Sequence, residues 1–438
     1  MTPPWAQVGI TDVPAARAFL DTLRARDTIV LGSNDADVGY PLTRRSQRFR
    51  GHGATVSANI FAATDPAADL VAYHRTLGLG PERVYCPRMP SARAALARLL
   101  LDDAEMLARL RADRSLARIV VSFKDQNAAL LIERLKLTSV YCDPSPDAYT
   151  LANDKLAFAR AGPEYGFETL PVEVVPDEPS LEATFHALAG RYGEGCIVRR
   201  RRGAAGRDIH HAPTLPAARR LWRRLRARGE VLLVPYVPPA SVRRNVATHG
   251  IVTAAGFAPL MFSDQIFRGY RFGGGRVTSE WPAAHVAAIR ASLAGVARWL
   301  RDLGYTGAPA GVDGFLLEDP SGPRFVVIDP NARLTATMGP WTVVAVLAEA
   351  AARPFVWQFE WLRMFGAPLT LDRLRRRLGS DLLAPTAIER GGVLPTFLTS
   401  RRLGAFGASG LWAILVARDA SHLEHLRRRL RELALIVR

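Results

Sequence analysis

Short apolar runs alternate with amphipathic segments along residues 1–150 of this 438-residue chain. The runs at Thr28–Asn34 and Ala117–Phe123 are typical of strands, whereas Val13–Arg26 and Gln126–Leu137 have the apolar periodicity of helices. Strands that alternate with helices usually build a mostly parallel sheet. We therefore predict an α/β domain with a parallel sheet over residues 1–150.

The pattern changes from about Leu151 onward. Helices there alternate with longer strand-like runs, and a chain of this length is expected to form two or three packed domains. We predict a small lobe over residues 151–240 and a large lobe over residues 241–438. The fold class is therefore α/β, with the later lobes of α+β character.

The composition is that of an ordinary globular protein, with 48% apolar and 23% charged residues. The sequence has no run approaching the roughly 20 apolar residues that span a bilayer. Its start lacks a basic region followed by an apolar one. The three cysteines, Cys86, Cys142 and Cys196, have no metal-ligand or disulfide spacing. We expect a cytoplasmic protein without a membrane segment.

The formal net charge is +17, and arginine supplies almost all of the positive charge. Of 58 basic residues, three are lysines, namely Lys124, Lys136 and Lys155. Such a bias usually reflects a GC-rich coding sequence and ordinary surface charges. The alternative is a basic face for nucleic acid, an acidic carrier protein or an acidic substrate. Where lysine does occur, a compact ammonium group is specifically favoured.

Two strand-like runs, Val312–Leu317 and Arg324–Ile328, flank a Pro-Ser-Gly-Pro turn and predict a hairpin. Beyond the second run, Asp329, Asn331 and Arg333 are spaced by two residues. If the extended conformation continues, these three side chains share one face.

Asp313, at the start of the first strand, is expected to lie within reach of Asp329 and Asn331. Two carboxylates and an amide oxygen form a hard, all-oxygen site that suits Mg²⁺. Arg333 beside them is able to hold a phosphoryl oxygen or a developing acyl phosphate. The alternative interpretation is a hairpin with polar residues at its mouth.

Three further segments favour nucleotide binding. The strand Cys196–Val198 leads through four arginines into the small-residue loop Gly203–Gly206, whose backbone N–H groups are suited to phosphates; a solvated basic turn is the alternative. Asn153 is a candidate helix cap, and Lys155 in the first helical turn makes a natural anion site. The run around Val234–Val237 is either a core strand or a hinge that presents its backbone to an adenine edge.

In chain order, these segments resemble the ATP-grasp superfamily over residues 151–335. Members of that family have a lysine before a small lobe, then a strand with a second lysine and a glycine-rich lid. A hinge strand against the adenine follows, and a metal motif comes last. The resemblance implies an enzyme that uses ATP and two Mg²⁺ ions.

By this resemblance, Asp313, Asp329 and Asn331 are the metal ligands. Catalytic roles fall to Lys155, Arg199 and Arg333. The implied nucleotide-binding residues are Lys155, Arg199, Gly203, Ala204, Ala205, Gly206, Val234, Pro235, Tyr236 and Val237.

A narrower likeness exists to the pheganomycin-type peptide ligase branch of that family. It is carried by the segments PPASVRRNVATHG, SDQIFRGYRFGG and GYTGAPAGVDGF. The branch joins amino acids or peptides in natural-product pathways and has an N-terminal pre-ATP-grasp domain, here residues 27–150. The substrate-binding positions that this likeness implies are Ser241, Asp264, Gln265, Gly269 and Arg271.

Three positions depart from the family pattern. Arg199 stands where the second lysine is usual, Pro235 stands at the hinge where an acceptor is usual, and Asp329 replaces a glutamate. Asp329 is shorter by one methylene, so a metal must sit closer to its strand. These departures bear on nucleotide affinity, and a catalytically degenerate member is one interpretation of them.

The resemblance implies an ADP-forming ligase that makes an amide through an acyl phosphate, with small amino-acid or peptide substrates. A second hypothesis is a ligase that loads an amino acid onto the thiol of an acidic carrier protein. A third is a nucleic-acid-binding protein that uses Arg199–Arg202 and Arg219–Arg228, which the scarcity of accompanying aromatics disfavours. Neither substrate nor oligomeric state follows from the sequence.

Overall fold

The computed structural model describes residues 3–7, 12–32, 55–62, 67–88, 95–203, 208–277, 281–365, 369–403 and 406–436. The helices in these ranges are α1 (Val13–Arg24), α2 (Ala68–Thr76), α3 (Leu96–Asp102), α4 (Ala104–Ala112), α5 (Gln126–Leu135), α6 (Pro146–Ala152), α7 (Lys155–Tyr165), α8 (Glu178–Tyr192), α9 (Leu215–Arg226), α10 (Ala283–Asp302), α11 (Met338–Ala350), α12 (Leu371–Leu378) and α13 (Ala420–Ile436). The strands are β1 (Thr28–Leu31), β2 (Asn59–Phe61), β3 (Arg83–Tyr85), β4 (Arg118–Val121), β5 (Thr138–Ser139), β6 (Glu173–Val174), β7 (Cys196–Arg200), β8 (Ile209–Ala212), β9 (Val231–Pro235), β10 (Val242–Thr253), β11 (Gly256–Arg268), β12 (Arg271–Val277), β13 (Ala308–Asp319), β14 (Gly322–Asn331), β15 (Val356–Phe365), β16 (Gly392–Leu403) and β17 (Phe406–Ala417).

The first sheet confirms the predicted parallel arrangement. Within the described ranges it has five strands in the order β3-β2-β1-β4-β5, and each neighbouring pair is parallel. Ile29 and Ile119 are fully buried at its centre, as expected for strands covered on both faces. At the carboxyl end of β4, the Ser122 carbonyl accepts a hydrogen bond from Leu334 N, which joins this sheet to the segment after β14.

A second, antiparallel sheet belongs to the small lobe. Its four described strands run in the order β6-β9-β7-β8. Val198 and Leu233 face α8 and α9, where they pack with Phe185 and Trp222. Because side chains alternate along a strand, Arg199 points to the opposite face, away from this apolar core.

The third and largest sheet has eight strands among the described residues, in the order β14-β13-β10-β11-β12-β15-β17-β16, and its neighbouring pairs are antiparallel. Its back face packs against α10 through apolar side chains such as Val312 and Phe325. Its front face carries Asp313 and Asp329 and is partly covered by α11. A Cβ at Gly311 would lie 2.5 Å from the Thr335 methyl, so glycine allows this close approach on the front face.

The predicted hairpin is confirmed, since β13 and β14 pair as antiparallel neighbours. The chain between residues 95 and 112 forms the two helices α3 and α4. The Asp103 carboxylate accepts a hydrogen bond from Met106 N and starts the second helix there. In the described chain, α helices with the length and apolarity needed to cross a membrane are absent. The domain boundaries at residues 150 and 240 stay predictions.

Candidate active site

Lys155 is the first residue of α7, as predicted, and its residue exposure is only 6%. The helix cap is Asp154 and not Asn153, since the Asp154 carboxylate accepts hydrogen bonds from Leu156 N and Ala157 N. The predicted Asn153 cap is therefore wrong. The Lys155 ammonium donates to Asp329 Oδ1 at 2.5 Å, across 174 residues of sequence.

Arg199 reaches the same carboxylate from β7. Its Nη2 donates to Asp329 Oδ1 at 3.0 Å, so two cationic side chains share one oxygen. The Arg199 Nε–H is buried and has no hydrogen-bond partner in the structure as described. Unsatisfied buried donors are costly, and an oxygen-rich ligand placed here would satisfy this one.

The rest of the arginine run is held by acidic and backbone partners. Arg201 donates through Nε to Asp154 Oδ2 at 2.8 Å and through Nη1 to Glu230 at 2.8 Å. Arg200 lies 3.2 Å from the carboxylate of Asp208. Arg201 thus ties β7 to the start of α7, and the interpretation as a solvated basic turn is wrong for these residues.

The predicted metal ligands lie together on β13 and β14. Asp313 is directly opposite Asp329 in the strand register. Asn331 Nδ2 donates to Asp313 Oδ2 at 2.8 Å, and the Gln265 side chain from β11 donates to the same carboxylate. The two carboxylates and the Asn331 amide thus occupy one small region, as the residue spacing predicts.

The two carboxylates have opposite pKa shifts. Burial, and secondly the charge of Asp329, raise the pKa of Asp313 to about 7. Burial alone would also raise the pKa of Asp329, but the charges of Lys155 and Arg199 outweigh it and hold that pKa below its usual value. Two adjacent carboxylates of this kind favour a bound cation, which would stabilise both as anions.

Arg333 lies just past the end of β14. Its backbone N–H donates to the Asn331 carbonyl at 2.7 Å, so the chain turns here and the extended conformation does not continue to Arg333. Its Nη1 nevertheless donates to Asn153 Oδ1 at 2.8 Å, which places it beside the start of α7. Burial lowers the pKa of Arg333, and the nearby charge of Asp329 opposes that effect.

Asn153 is a site residue that the sequence reasoning missed. It donates from Nδ2 to the carbonyls of Tyr149 at 2.8 Å and Ala332 at 3.2 Å, while its oxygen accepts from Arg333. Ala332 and Arg333 are distant from Asn153 in sequence, and only its position two residues before Lys155 distinguishes it. It holds the Arg333 guanidinium in place through all three bonds.

A small apolar cavity lies between the lobes, beside Arg199. It measures about 20 Å³, enough for one water-sized sphere. Val234 from the predicted hinge lines it, whereas Tyr236 lies farther along and stacks on His211 at 3.9 Å between ring centroids. Its lining residues are Phe158, Ala159, Thr169, Leu170, Val172, Arg199, Val234, Val327 and Ile328.

The polar side chains of the site can be compared with the ligands that Mg²⁺ and ATP require. Oxygen donors at Asp313, Asp329 and Asn331 fit a hard cation, although the described residues include no cluster of three or more His, Cys, Asp or Glu side chains suited to a metal. Lys155 and Arg199 fit phosphate oxygens. The apolar cavity, at about 20 Å³, is smaller than a purine.

The five positions with implied substrate roles lie in different parts of the structure. Gln265 belongs to the cluster of polar side chains around Asp313, which we call the Asp313 cluster. Asp264 points to the back face, where both its oxygens accept from Arg244 at 2.7 Å. Gly269, with φ +61°, lies in the turn between β11 and β12, and Arg271 is the first residue of β12.

Ser241 is exposed in a short turn of 3-10 helix, and its hydroxyl donates to the Pro238 carbonyl at 2.8 Å. It does not join the Asp313 cluster. Of the predicted lid residues, Gly203 lies within the described ranges and is partly exposed. Ala204, Ala205 and Gly206 lie outside the described residues. Pro235 ends β9 and is buried, and Val237 follows in the connection to β10.

Comparisons with known proteins bear on the fold. No protein-family model matches the sequence, and no curated protein matches it. Carboxyaminoimidazole ribonucleotide synthase from Aspergillus clavatus, complexed with ATP, is similar with a TM-score of 0.55 and 12% identity, over 95% of this chain and 100% of that one. The L-amino acid ligase from Bacillus licheniformis is similar with a TM-score of 0.52 and 12% identity, over 93% and 98%.

A third similar structure is the biotin carboxylase domain of 2-oxoglutarate carboxylase from Hydrogenobacter thermophilus, in complex with MgADP and bicarbonate. Its TM-score is 0.54 at 13% identity, over 92% of this chain and 89% of that one. The chain has the ATP-grasp fold. In this chain, Lys155 and Arg199 converge on Asp329 of the front face of the large sheet.

Proposed function

We propose that the protein is an ATP-dependent ligase that joins a carboxylate to an amine through an acyl phosphate. The observation that carries this proposal is the convergence of Lys155 and Arg199 on Asp329, beside Asp313 and Asn331. Cations that approach an oxygen-donor site from the opposite lobe are what a metal-bound polyphosphate requires.

The charged residues would divide their work between cation and phosphates. Asp313, Asp329 and Asn331 would hold Mg²⁺, which neutralises charge on the phosphates when bound. Lys155 and Arg199 would then exchange their contact with Asp329 for phosphate oxygens. Each exchange replaces one charge-assisted hydrogen bond by another, so little hydrogen-bond energy is lost.

The substrate carboxylate would attack the γ-phosphorus of ATP, so that a carboxylate O–P bond forms as the bond to ADP breaks. The amine would next attack the acyl carbon, giving an amide and inorganic phosphate with loss of one proton. Arg333 would stabilise the oxyanion of the tetrahedral intermediate. Asn153 would keep its guanidinium oriented for that role.

Amino-acid or peptide substrates are the finer part of the proposal, as is a role in natural-product formation. Support comes from the likeness to the peptide ligase branch and from Gln265, a position implied by that likeness, which contacts Asp313. We also propose two bound Mg²⁺ ions, on the ground of the family resemblance. A thiol acceptor on a carrier protein would use the same acyl phosphate.

Coupled measurement of ADP and phosphate tests the proposal. The protein is incubated with ATP, Mg²⁺ and panels of amino acids and small acids, with hydroxylamine added to capture an acyl phosphate as a hydroxamate. We expect acid-dependent ADP release and a hydroxamate of the same acid. Mass spectrometry after addition of amines or a carrier thiol then distinguishes amide from thioester. ADP release without any captured acyl group would contradict the acyl-phosphate route.

A further inference from the structure

The chain that follows β14 lies directly on the front face of the large sheet. We call residues 333–337 the Arg333 segment. Two glycines allow its close contact with the sheet, because a Cβ at Gly311 would lie 2.5 Å from the Thr335 methyl and one at Gly275 would lie 2.9 Å from the Thr337 methyl. A side chain at either position would push the segment away from the sheet. The two glycines therefore keep the Arg333 segment close to β13 and β12.

His249 on β10 bonds to the Arg333 segment from the sheet. It is opposite Gly311 in the strand register, so its side chain points to the front face. Its Nδ1 lies 2.7 Å from Thr335 Oγ1, and its Nε2 lies 3.0 Å from Ser263 Oγ. The residue is 2% exposed, so both ring nitrogens bond to protein hydroxyls in a place closed to solvent.

The partners of the imidazole decide which of its nitrogens carries the proton. The Ser263 hydroxyl donates to the Ala247 carbonyl at 3.5 Å, so it accepts from the Nε2–H of His249. The Nδ1 is therefore unprotonated and accepts from the Thr335 hydroxyl. Burial lowers the pKa of His249 to about 3, so the ring is neutral at pH 7. His249 is thus a fixed hydrogen-bond acceptor for Thr335 and not a proton carrier for the reaction.

The Arg333 segment is also held from its other side. The backbone N–H of Leu334 donates to the Ser122 carbonyl of the first sheet at 3.1 Å. The Arg333 guanidinium bonds to Asn153 at the start of α7. The backbone of the segment is thus fixed between the first sheet and β10, while the start of α7 orients the guanidinium.

We propose that His249 is a positioning residue for the ligation and acts through Thr335 on Arg333. The inference rests on the proposed function, in which Arg333 stabilises the oxyanion, and adds to it a residue that does not touch the substrate. A catalytic group that is misplaced by about 1 Å can lose roughly a hundredfold in rate. Because one residue separates Thr335 from Arg333, a shift of Thr335 also moves the backbone that carries the guanidinium.

Removal of the Thr335 hydroxyl tests this role. Thr335→Val keeps the shape of the side chain but leaves the His249 Nδ1 without a donor, so we expect kcat to fall about tenfold with KM for ATP nearly unchanged. Thr335→Ser keeps the hydroxyl and should retain most of kcat. If the serine variant loses as much kcat as the valine variant, the hydrogen bond to His249 is not what matters and the inference is overturned.

Thr248 provides a matched control on the same strand. It is fully buried next to His249, and its hydroxyl donates to the Val312 carbonyl at 3.2 Å. Thr248→Val loses a buried hydroxyl bond as Thr335→Val does, but it should lower the unfolding temperature without a fall in kcat. Equal falls of kcat in the two valine variants would show a general loss of packing and overturn the inference.

A double-mutant cycle tests whether the effect of Thr335 depends on Arg333. In the Arg333→Lys background the guanidinium to be positioned is already gone, so Thr335→Val should lower kcat by less than about threefold further. The full tenfold fall in that background overturns the inference, because the effect of Thr335 would then be independent of Arg333.

Hydrogen exchange followed by mass spectrometry needs no turnover and separates this inference from the proposed function. We expect peptides that contain the Leu334 amide to exchange at least about tenfold faster in Thr335→Val than in the wild type, and at the wild-type rate in Thr248→Val. Such faster exchange supports the anchor at His249 even if no acid substrate is found, and unchanged exchange overturns it. Acid-dependent ADP release with an unaltered kcat in Thr335→Val overturns the inference while leaving the ligase proposal intact.

Discussion

The guanidinium of Arg333 donates a hydrogen bond to Asn153 Oδ1 at 2.8 Å, across 180 residues of sequence. Asn153 is itself fixed by the carbonyls of Tyr149 and Ala332, so the start of α7 sets the position of Arg333. Lys155, two residues later, contacts Asp329. One short segment therefore positions both a phosphate-binding candidate and an oxyanion-binding candidate.

Removal of the Asn153 amide should reduce catalysis more than substrate binding. In Asn153→Ala, Arg333 loses its orienting partner, and we expect kcat to fall about tenfold while KM for ATP changes less. Arg333→Lys should lower kcat by about 10²–10³, the usual loss for an oxyanion donor. Steady-state kinetics of ADP release with the best acid substrate measures both.

Asn59 provides a matched control for this variant. It too donates to two carbonyls, those of Arg26 at 2.7 Å and Thr28 at 3.1 Å, and accepts from an arginine, Arg83 Nε at 2.7 Å. It lies in the N-terminal sheet, so Asn59→Ala should lose stability without the fall in kcat. Equal losses of kcat in the two alanine variants would show a general packing effect.

The two candidate metal-ligand carboxylates should differ in their effect on stability. Asp329→Asn leaves Lys155 and Arg199 without their anion, and breaking a buried pair in this way costs about 3 kcal/mol. Asp313→Asn removes a carboxylate that burial and Asp329 both disfavour as an anion. We expect only Asp329→Asn to lower the unfolding temperature at pH 8, although both variants abolish ADP release.

The expected effect of Asp313→Asn on stability follows from the raised pKa of Asp313, which is about 7. A carboxyl whose pKa is higher in the folded protein favours folding while protonated and loses that contribution as pH rises from about 4 to 7. Above pH 7 the wild type carries the full cost of the anion, which Asp313→Asn lacks. A lower unfolding temperature for Asp313→Asn than for wild type at pH 8 would contradict the charge assignment.

Arg199 stands where the resemblance to the ATP-grasp superfamily implies a lysine, so we expect the charge of this side chain and not its shape to matter. We expect Arg199→Lys to keep KM for ATP within about threefold of wild type. Arg199→Ala loses a hydrogen bond between charged groups, worth about 1.5–3 kcal/mol, and KM for ATP should rise tenfold or more. If the lysine variant loses as much as the alanine variant, the forked guanidinium itself is required.

That the metal-ligand candidates lie on neighbouring strands could be predicted, because a tight hairpin joins β13 to β14. Their alignment could not, since the hairpin register would set Asp313 opposite Ile328, and a β-bulge between Asp313 and Gly314 shifts Asp313 to a position opposite Asp329. The parallel sheet of the first domain could also be predicted, from alternating strands and helices. Strand alternation also explains why only one of the adjacent residues Asp264 and Gln265 reaches the site.

The remaining parts of the site depend on contacts between distant segments. The Asn153–Arg333 and Arg201–Asp154 contacts join segments that no local pattern relates. Both Asn and Asp cap helices, so local sequence does not distinguish Asn153 from Asp154 as the cap of α7. In the structure the Asn153 oxygen accepts from Arg333, and Asp154 caps the helix.

Two buried histidines should make the fold sensitive to mild acid. Burial lowers the pKa of His74 to about 4 and that of His249 to about 3. His249 is enclosed on the front face between the hydroxyls of Thr335, at 2.7 Å, and Ser263, at 3.0 Å. Neither environment offers a carboxylate to stabilise the charged ring, so both residues are neutral in the folded protein.

Because these pKa values are lower in the folded than in the unfolded chain, the unfolded chain takes up protons first. Stability is fully present above about pH 6.5 and declines as pH falls below it, by up to about 1.4 kcal/mol per pH unit for each histidine. His74→Gln can keep the hydrogen bond to the Pro395 carbonyl but cannot titrate. Urea unfolding at pH 7.0 and 5.5 should show a smaller loss for His74→Gln than for wild type, and equal losses would mean that His74 does not titrate as assigned.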